Sequence, residues 1–83
     1  MQFEALINIM PLKELLDPQG KTVEQSLHNM NFKMEKVRIG KRISLTVEAS
    51  DVADAQSKVD EACKKLLHNP VMEYYEFEIN ALA

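Results

Sequence analysis

From Glu35 to Glu48 the chain alternates. Val37, Ile39, Lys41, Ile43, Leu45 and Val47 fill the odd positions, all but Lys41 aliphatic, and in an extended backbone every second side chain points the same way. Gly40-Lys41 in the middle invites a two-residue hairpin turn. Such a turn would pair Ile39 with Arg42 and Arg38 with Ile43, throwing the aliphatic residues of the two halves onto opposite faces. One continuous strand keeps them together. From Val37 to Val47 it would span roughly 36 Å at ~3.3 Å per residue. A compact chain of this length has a radius of gyration near ~12 Å, hence a diameter of roughly 30 Å. A strand longer than its own globule is expected to pair partly outside the monomer, with Gly40, which has no side chain, as the bend between an intramolecular and an intermolecular half.

Eighty-three residues make one domain (1–83), near the size at which a single core barely supports folding. Hydrophobic residues at 46% and charged residues at 28% leave no case for disorder. The net charge of −3 and pI near 5.3 lack the uniform basic field that phosphate backbones require, so nucleic acid is not an expected ligand. A lone cysteine, Cys63, excludes an intramolecular disulfide, and no apolar run is long enough for a membrane span or signal peptide. A reducing cytoplasm is the expected location.

Ahead of the long strand, Phe3, Ala5, Ile7 and Ile9 alternate with Gln2, Glu4 and Asn8, which predicts a first strand over 2–10 that Pro11 ends. Leu15 and Leu16 are expected to tuck under the sheet. Asp17-Pro18 reads as a helix cap followed by a first-turn proline, and Val23, Leu27 and Met30 give that helix one apolar stripe, closed by Asn29 to Asn31. Ser50 and Asp51 cap a second helix with the stripe Val52, Ala55, Val59, Ala62 and Leu66. Its other face carries the acid-before-base pairs Asp54/Lys58, Asp60/Lys64 and Glu61/Lys65. Asn69-Pro70 stops it, and Val71 to Asn80 alternates again as a last strand. The expected fold class is α+β: a small β-α-β-α-β domain with a long bent central strand, two helices on one face, and a sheet completed by dimerisation through Val37, Ile39, Ile43, Leu45 and Val47.

Chemistry is hard to assemble from these residues. Gly20-Lys21-Thr22 has Leu15 where a phosphate-binding loop needs its first glycine, so it reads as a capped helix start. Cys63 and His68 lie five apart on one helix and point to different faces, which meets no metal-ligand spacing; a buried Cys63 and solvated His28 and His68 are expected instead. No nucleophile and base are oriented together, and Glu76 and Glu78 read as solvated carboxylates on a terminal strand. No catalytic, cofactor or metal residue is expected in this chain.

Four blocks in order carry a resemblance: Leu16-Asp17-Pro18-Gln19-Gly20-Lys21, Ser26-Leu27-His28, Val37-Arg38-Ile39-Gly40-Lys41, and Cys63 to Tyr74. Together they resemble PurS, the small subunit of phosphoribosylformylglycinamidine synthase, over nearly the whole chain. The resemblance implies a non-catalytic role in de novo purine biosynthesis. A large synthetase subunit would use ATP and Mg, a glutaminase subunit would release ammonia from glutamine, and a PurS dimer or dimer of dimers would join them and help ammonia pass. It also implies a partner-binding patch at Asp17, Gln19, Gly20, Lys21, Arg38, Gly40 and Lys41, where glycines allow close approach and basic side chains make a positive spot on an acidic protein. Two other classes stay open. A small dimeric ligand-sensing domain of ferredoxin-like type would share the β/α pattern but should carry a glycine-rich loop, and Pro11 to Leu16 has no glycine. A free-standing small enzyme is the other, decided by assaying the chain alone for glutaminase or ATPase activity.

Overall fold

A computed structural model describes residues 1–13 and 15–82. Its elements are β1 (Gln2–Pro11), α1 (Pro18–Asn29), β2 (Lys41–Glu48), α2 (Val52–Ala62), a π-helical turn (Cys63–Leu67) and β3 (Glu73–Ala81). The three strands form one antiparallel sheet in the order β2-β1-β3. The α+β architecture is the one expected, but the long strand, central in sequence, lies at the sheet edge. Its place in the middle is taken by β1, whose inward residues Phe3, Ala5, Ile7 and Ile9 are all buried. Each of these sits opposite a residue on both neighbours; Ile7, for example, faces Ile43 on β2 and Phe77 on β3. Two flanking strands shield the apolar residues of the middle one, whereas an edge strand has only one such neighbour. Hence Ile43, Leu45 and Val47 are only half-buried.

The helices divide unequally. α2 lies over the sheet and contributes Ala55, Val59 and the following Cys63 to the core. Its carboxylate–lysine pairs form as expected, at 3.2 Å for Asp54–Lys58, 3.0 Å for Asp60–Lys64 and 2.6 Å for Glu61–Lys65. α1 makes no comparable contact with any strand, and Gly20 is its one buried residue. Two helices packed side by side on the sheet are therefore not found: one covers it and the other stands off its end. Leu15 and Leu16 do not tuck underneath either. Leu16 is 71% exposed, because the chain leaves the sheet at Pro11 and runs outward to α1.

A second correction concerns the stripe of α2. Leu66 was expected inside and is 81% exposed, while Leu67 packs on the core. The π turn accounts for this: its hydrogen bond from the His68 N–H to the Cys63 carbonyl spans five residues, which inserts one residue into the helical repeat and advances the buried face by one position. The same turn brings His68 inward. Its ring meets Tyr75 edge-on at 4.6 Å and its Nδ1 lies 2.6 Å from the Cys63 carbonyl, so His68 is half-buried, not solvated; His28 is exposed as expected. Tyr75 donates its hydroxyl proton to Asp60, and that bond, with partial burial, pushes the phenol up to about 12. Burial pushes the Cys63 thiol up as well, which leaves it an inert core residue.

Overall the molecule is a slab of 51 × 29 × 13 Å with a radius of gyration of 16.3 Å. The length comparison that suggested a strand outrunning a sphere of roughly 30 Å therefore loses its premise. The strand is also shorter than expected: β2 is the eight residues Lys41–Glu48, roughly 26 Å at ~3.3 Å per residue, and residues 37–40 precede it. What remains is an unpaired outer edge along β2, matched by another along β3 on the opposite side of the sheet.

Candidate functional site

Around the start of α1 and the residues before β2 the structure gathers Asp17, Gly20, Glu24, Val37, Arg38 and Ile39. Asp17 is the N-cap expected from the sequence, accepting the Gly20 N–H at 3.0 Å. Its second carboxylate oxygen accepts the Ile39 N–H at 2.8 Å, and Glu24, two turns along α1, accepts the Val37 N–H at 3.1 Å. Val37 and Ile39 are two apart, so in an extended segment their N–H groups lie on one edge. It is the edge that β2 offers to β1, since the odd-numbered Ala49 donates to the Met1 carbonyl at 2.9 Å. Two carboxylates from α1 thus take over from β1 where the sheet ladder ends.

Arg38 ties the other side. Its guanidinium donates to the carbonyls of Lys13 (3.2 Å), Pro11 (3.2 Å) and Leu12 (2.8 Å), the residues leaving β1. Its buried Nε faces the Asp17 carboxylate at 3.6 Å, a charge contact rather than a hydrogen bond. Both glycines sit where a side chain cannot. A Cβ on Gly20 would lie 2.3 Å from the Val37 carbonyl oxygen, and one on Gly40 would lie 2.3 Å from both the Ile9 carbonyl oxygen and the Met10 sulfur.

The seven residues of the expected patch therefore separate by environment. Asp17, Gly20 and Arg38 are drawn into contacts around the start of α1, while Gly40, itself exposed, lies close against Ile9 and Met10 of β1. Gln19, Lys21 and Lys41 are exposed, Lys41 lying 3.9 Å from a Glu73 oxygen. Of the dimer-strand residues, Ile43, Leu45 and Val47 lie on β2, whereas Val37 and Ile39 precede it. Glu24 was missed. Its spacing from Asp17 and Gly20, at i, i+3 and i+7, places the three on one helical face and is the signal that would have found it.

The Asp17 carboxyl is held below its ordinary 3.8 by the Gly20 N–H first, then the Ile39 N–H, against partial burial, with Arg38 adding attraction. A lowered native value means the unfolded chain takes up the proton first as pH falls, so the contribution of Asp17 is full above its ordinary value and fades below it. Asp54, Asp60 and Glu61 are lowered too. Comparing thermal midpoints of the parent chain and Asp17→Asn across pH isolates the share of Asp17: the gap should be widest near neutrality and shrink below about pH 4. A gap independent of pH would dismiss the charged cap.

Charge is also segregated. Residues 13–42 hold seven of the ten Lys and Arg and four of the thirteen Asp and Glu, giving this third of the chain +3 and the remainder −6. Among the described residues no helix is long and apolar enough to cross a membrane, and no group of three metal-ligating side chains converges.

Residues 4–81 match the family model described as PurS: Phosphoribosylformylglycinamidine (FGAM) synthase. The chain belongs to the PurS family. The PurS subunit of Bacillus subtilis phosphoribosylformylglycinamidine synthase is 49% identical over 70 residues, covering 82% of each chain. PurS of Thermus thermophilus superposes over the full length of both chains with a TM-score of 0.90 at 34% identity. A chain in the structure of PurLQS from Thermotoga maritima gives the same TM-score at 36% identity, over 95% of this chain and 98% of that one. The chain is thus a PurS subunit of FGAM synthase, a protein of purine biosynthesis, and the ligand-sensing alternative is not favoured.

Proposed function

We propose that this PurS chain is the non-catalytic bridge of its synthase, joining a large synthetase subunit to a glutaminase subunit and assisting the transfer of ammonia between them. The observation that carries this reading is the match to a chain of PurLQS along almost its entire length. ATP, Mg and glutamine are then handled by the partner subunits, in the cytoplasm, and this chain supplies no cofactor site.

The bridge is a homo-oligomer, a dimer or a dimer of dimers. A folded monomer of 9.5 kDa is expected to expose about 5,050 Å², and this chain exposes 6133 Å². The surplus is about 1,100 Å², against the about 800 Å² that each partner contributes to a standard interface. An unpaired β2 edge in a chain with this much bare surface is supported best by pairing with a second copy. A stable 9.5 kDa species in sedimentation at micromolar concentration would end the oligomeric reading.

Gln19, Lys21 and Lys41 form the outer part of a partner-binding patch that Asp17, Gly20, Arg38 and Gly40 hold in shape. The positive balance of residues 13–42 suits an acidic partner surface. Reversing both charges, Lys21→Glu with Lys41→Glu, should leave oligomerisation and thermal stability intact while weakening assembly by about 1–3 kcal/mol, with strong salt dependence. Unchanged co-purification with both partners, with and without ADP and glutamine, together with unchanged glutamine-dependent turnover, would dismiss the patch and leave these lysines simply solvated.

A further inference from the structure

Two stretches far apart in sequence meet where β1 leaves the sheet and β3 enters it. Pro11, Leu15 and Leu16 from one, and Asn69, Met72 and Glu73 from the other, line a pocket of about 190 Å³. Leu16 and Met72 are 71% and 54% exposed, and Leu15 and Val71 are exposed too. Single apolar residues on a surface are common, but a cluster of them around a pocket points to an interaction. Both rims are pinned. On one, the Arg38 guanidinium holds the carbonyls of Pro11, Leu12 and Lys13, the Leu15 N–H donates to the Leu12 carbonyl at 3.1 Å, and Asp17 anchors the chain directly after Leu16. On the other, the Asn69 side chain accepts the Val71 N–H at 3.0 Å, its carbonyl accepts the Glu73 N–H at 2.7 Å, and the Glu73 carboxylate accepts the Asn69 N–H at 2.8 Å. Leucine and methionine are thus held outward on backbone that is already fixed, which spares a binding event the cost of ordering it. Leu15 and Leu16 also wall a second cleft, of about 410 Å³, that reaches Lys21 and His28 on α1 and Glu35 and Lys36 beyond it. The charges of Asp17, Glu24 and Arg38 in this cleft are occupied by backbone groups of the same chain. Among the described residues, that leaves two ammonium groups, Lys21 and Lys36, against the one carboxylate of Glu35, within the third of the chain that carries +3.

Resting on the bridging reading above, we propose that the pocket between Leu16 and Met72 seats an apolar side chain of another synthase subunit, on an acidic segment whose carboxylates face Lys21 and Lys36 along α1. A pocket of about 190 Å³ suits one side chain of medium size, since a cavity of about 150 Å³ takes a benzene ring. An apolar anchor in a pocket, with charged groups around it, is the usual anatomy of the few residues that carry an interface. The two leucines belong to both cavities, so one segment lying across them meets the apolar pocket and the ammonium groups together. A second copy of this chain is not the occupant that the position favours, because the pocket lies at the end of the sheet and not along either of its free edges.

The test uses the full chain with the purified synthetase and glutaminase subunits. Leu16→Ser combined with Met72→Ser should weaken assembly by about tenfold or more, by the same factor at low and high salt, whereas the effect of Lys21→Glu should shrink as salt rises. Far-ultraviolet circular dichroism and self-association should stay those of the parent, since both side chains already face solvent. The seat itself is read by a photoreactive benzophenone on Leu16→Cys, in a Cys63→Ala background so that the buried thiol does not compete. Illumination of the assembled complex should link it to a partner subunit through a peptide that carries an aliphatic or aromatic residue close to Asp or Glu, and the same label on Glu61→Cys, on the outer face of α2, should give no such link. A parent chain that assembles, together with a double variant that assembles equally well, would overturn the seat alone. So would loss of self-association in the double variant, or links formed only between copies of this chain. A parent chain that binds neither partner subunit would overturn the bridging reading beneath it.

Discussion

Glutamine-dependent turnover by the synthetase and glutaminase subunits should fall to background when this chain is withheld, while turnover supplied with high ammonium persists. Holding two modules together raises their effective encounter by about 10²- to 10⁴-fold, and a bridge has no other task than to supply that proximity and a path for the nitrogen. The expected loss is therefore at least about 100-fold for glutamine and little for ammonium, where nothing needs to pass between active sites. Adding the purified chain back should restore glutamine use in proportion to complex formed. Full glutamine-dependent turnover in its absence would remove the bridging role, and loss of ammonium-dependent turnover would show that the chain serves the synthetase chemistry itself.

Gly20→Ala is expected to destabilise the chain by about 1–3 kcal/mol or more, as overpacking of a close contact does. In an ordinary helix this substitution stabilises by up to about 1 kcal/mol, so the sign is diagnostic. The reversal comes from the Val37 carbonyl oxygen, 2.3 Å from where the methyl would stand, with an Asp17 carboxylate oxygen at 2.7 Å. Neither can step aside without breaking the hydrogen bonds that Asp17 makes to Gly20 and Ile39. Denaturant titration measures the loss, and hydrogen exchange locates it: protection of the Val37 and Ile39 amides should drop while that of β1 is kept. A variant as stable as the parent would show that α1 is not clasped to the strand at Gly20.

Much of this could be read from residues alone, and the failures have a common cause. Both helix starts were legible because Asp17 and Asp51 act locally, bonding N–H groups three residues on. The strands were legible because alternation reports a backbone shape. What alternation does not report is order across a sheet: β1 and β2 have equally good patterns, and it is the place of β1 between two strands that leaves Ile7 buried and Ile43, on an edge, half-buried. The helical stripe failed at Leu66 because one inserted residue at the π turn leaves the period on either side unchanged. The site was partly legible. Asp17, Gly20, Arg38 and Gly40 were singled out as one patch, but sequence spacing could not show that Asp17 bonds Gly20 and faces Arg38 while Gly40 approaches β1 instead. Leu15 and Leu16 were misplaced on the assumption that a small protein hides its leucines within itself, which fails for a slab with a standing-off helix.

That helix is joined to the body by the Asp17 and Glu24 carboxylates on the amide protons of Ile39 and Val37, without the strand packing that α2 makes. The two parts of the molecule should consequently answer temperature differently. Exposing apolar surface raises heat capacity and exposing polar groups lowers it. Undocking α1 is then a nearly athermal step in heat capacity, while melting the sheet and α2 carries almost all of the curvature. Cooling toward the ice point weakens the core but not the clasp, so the orientation of α1 is the feature of this subunit least sensitive to cold.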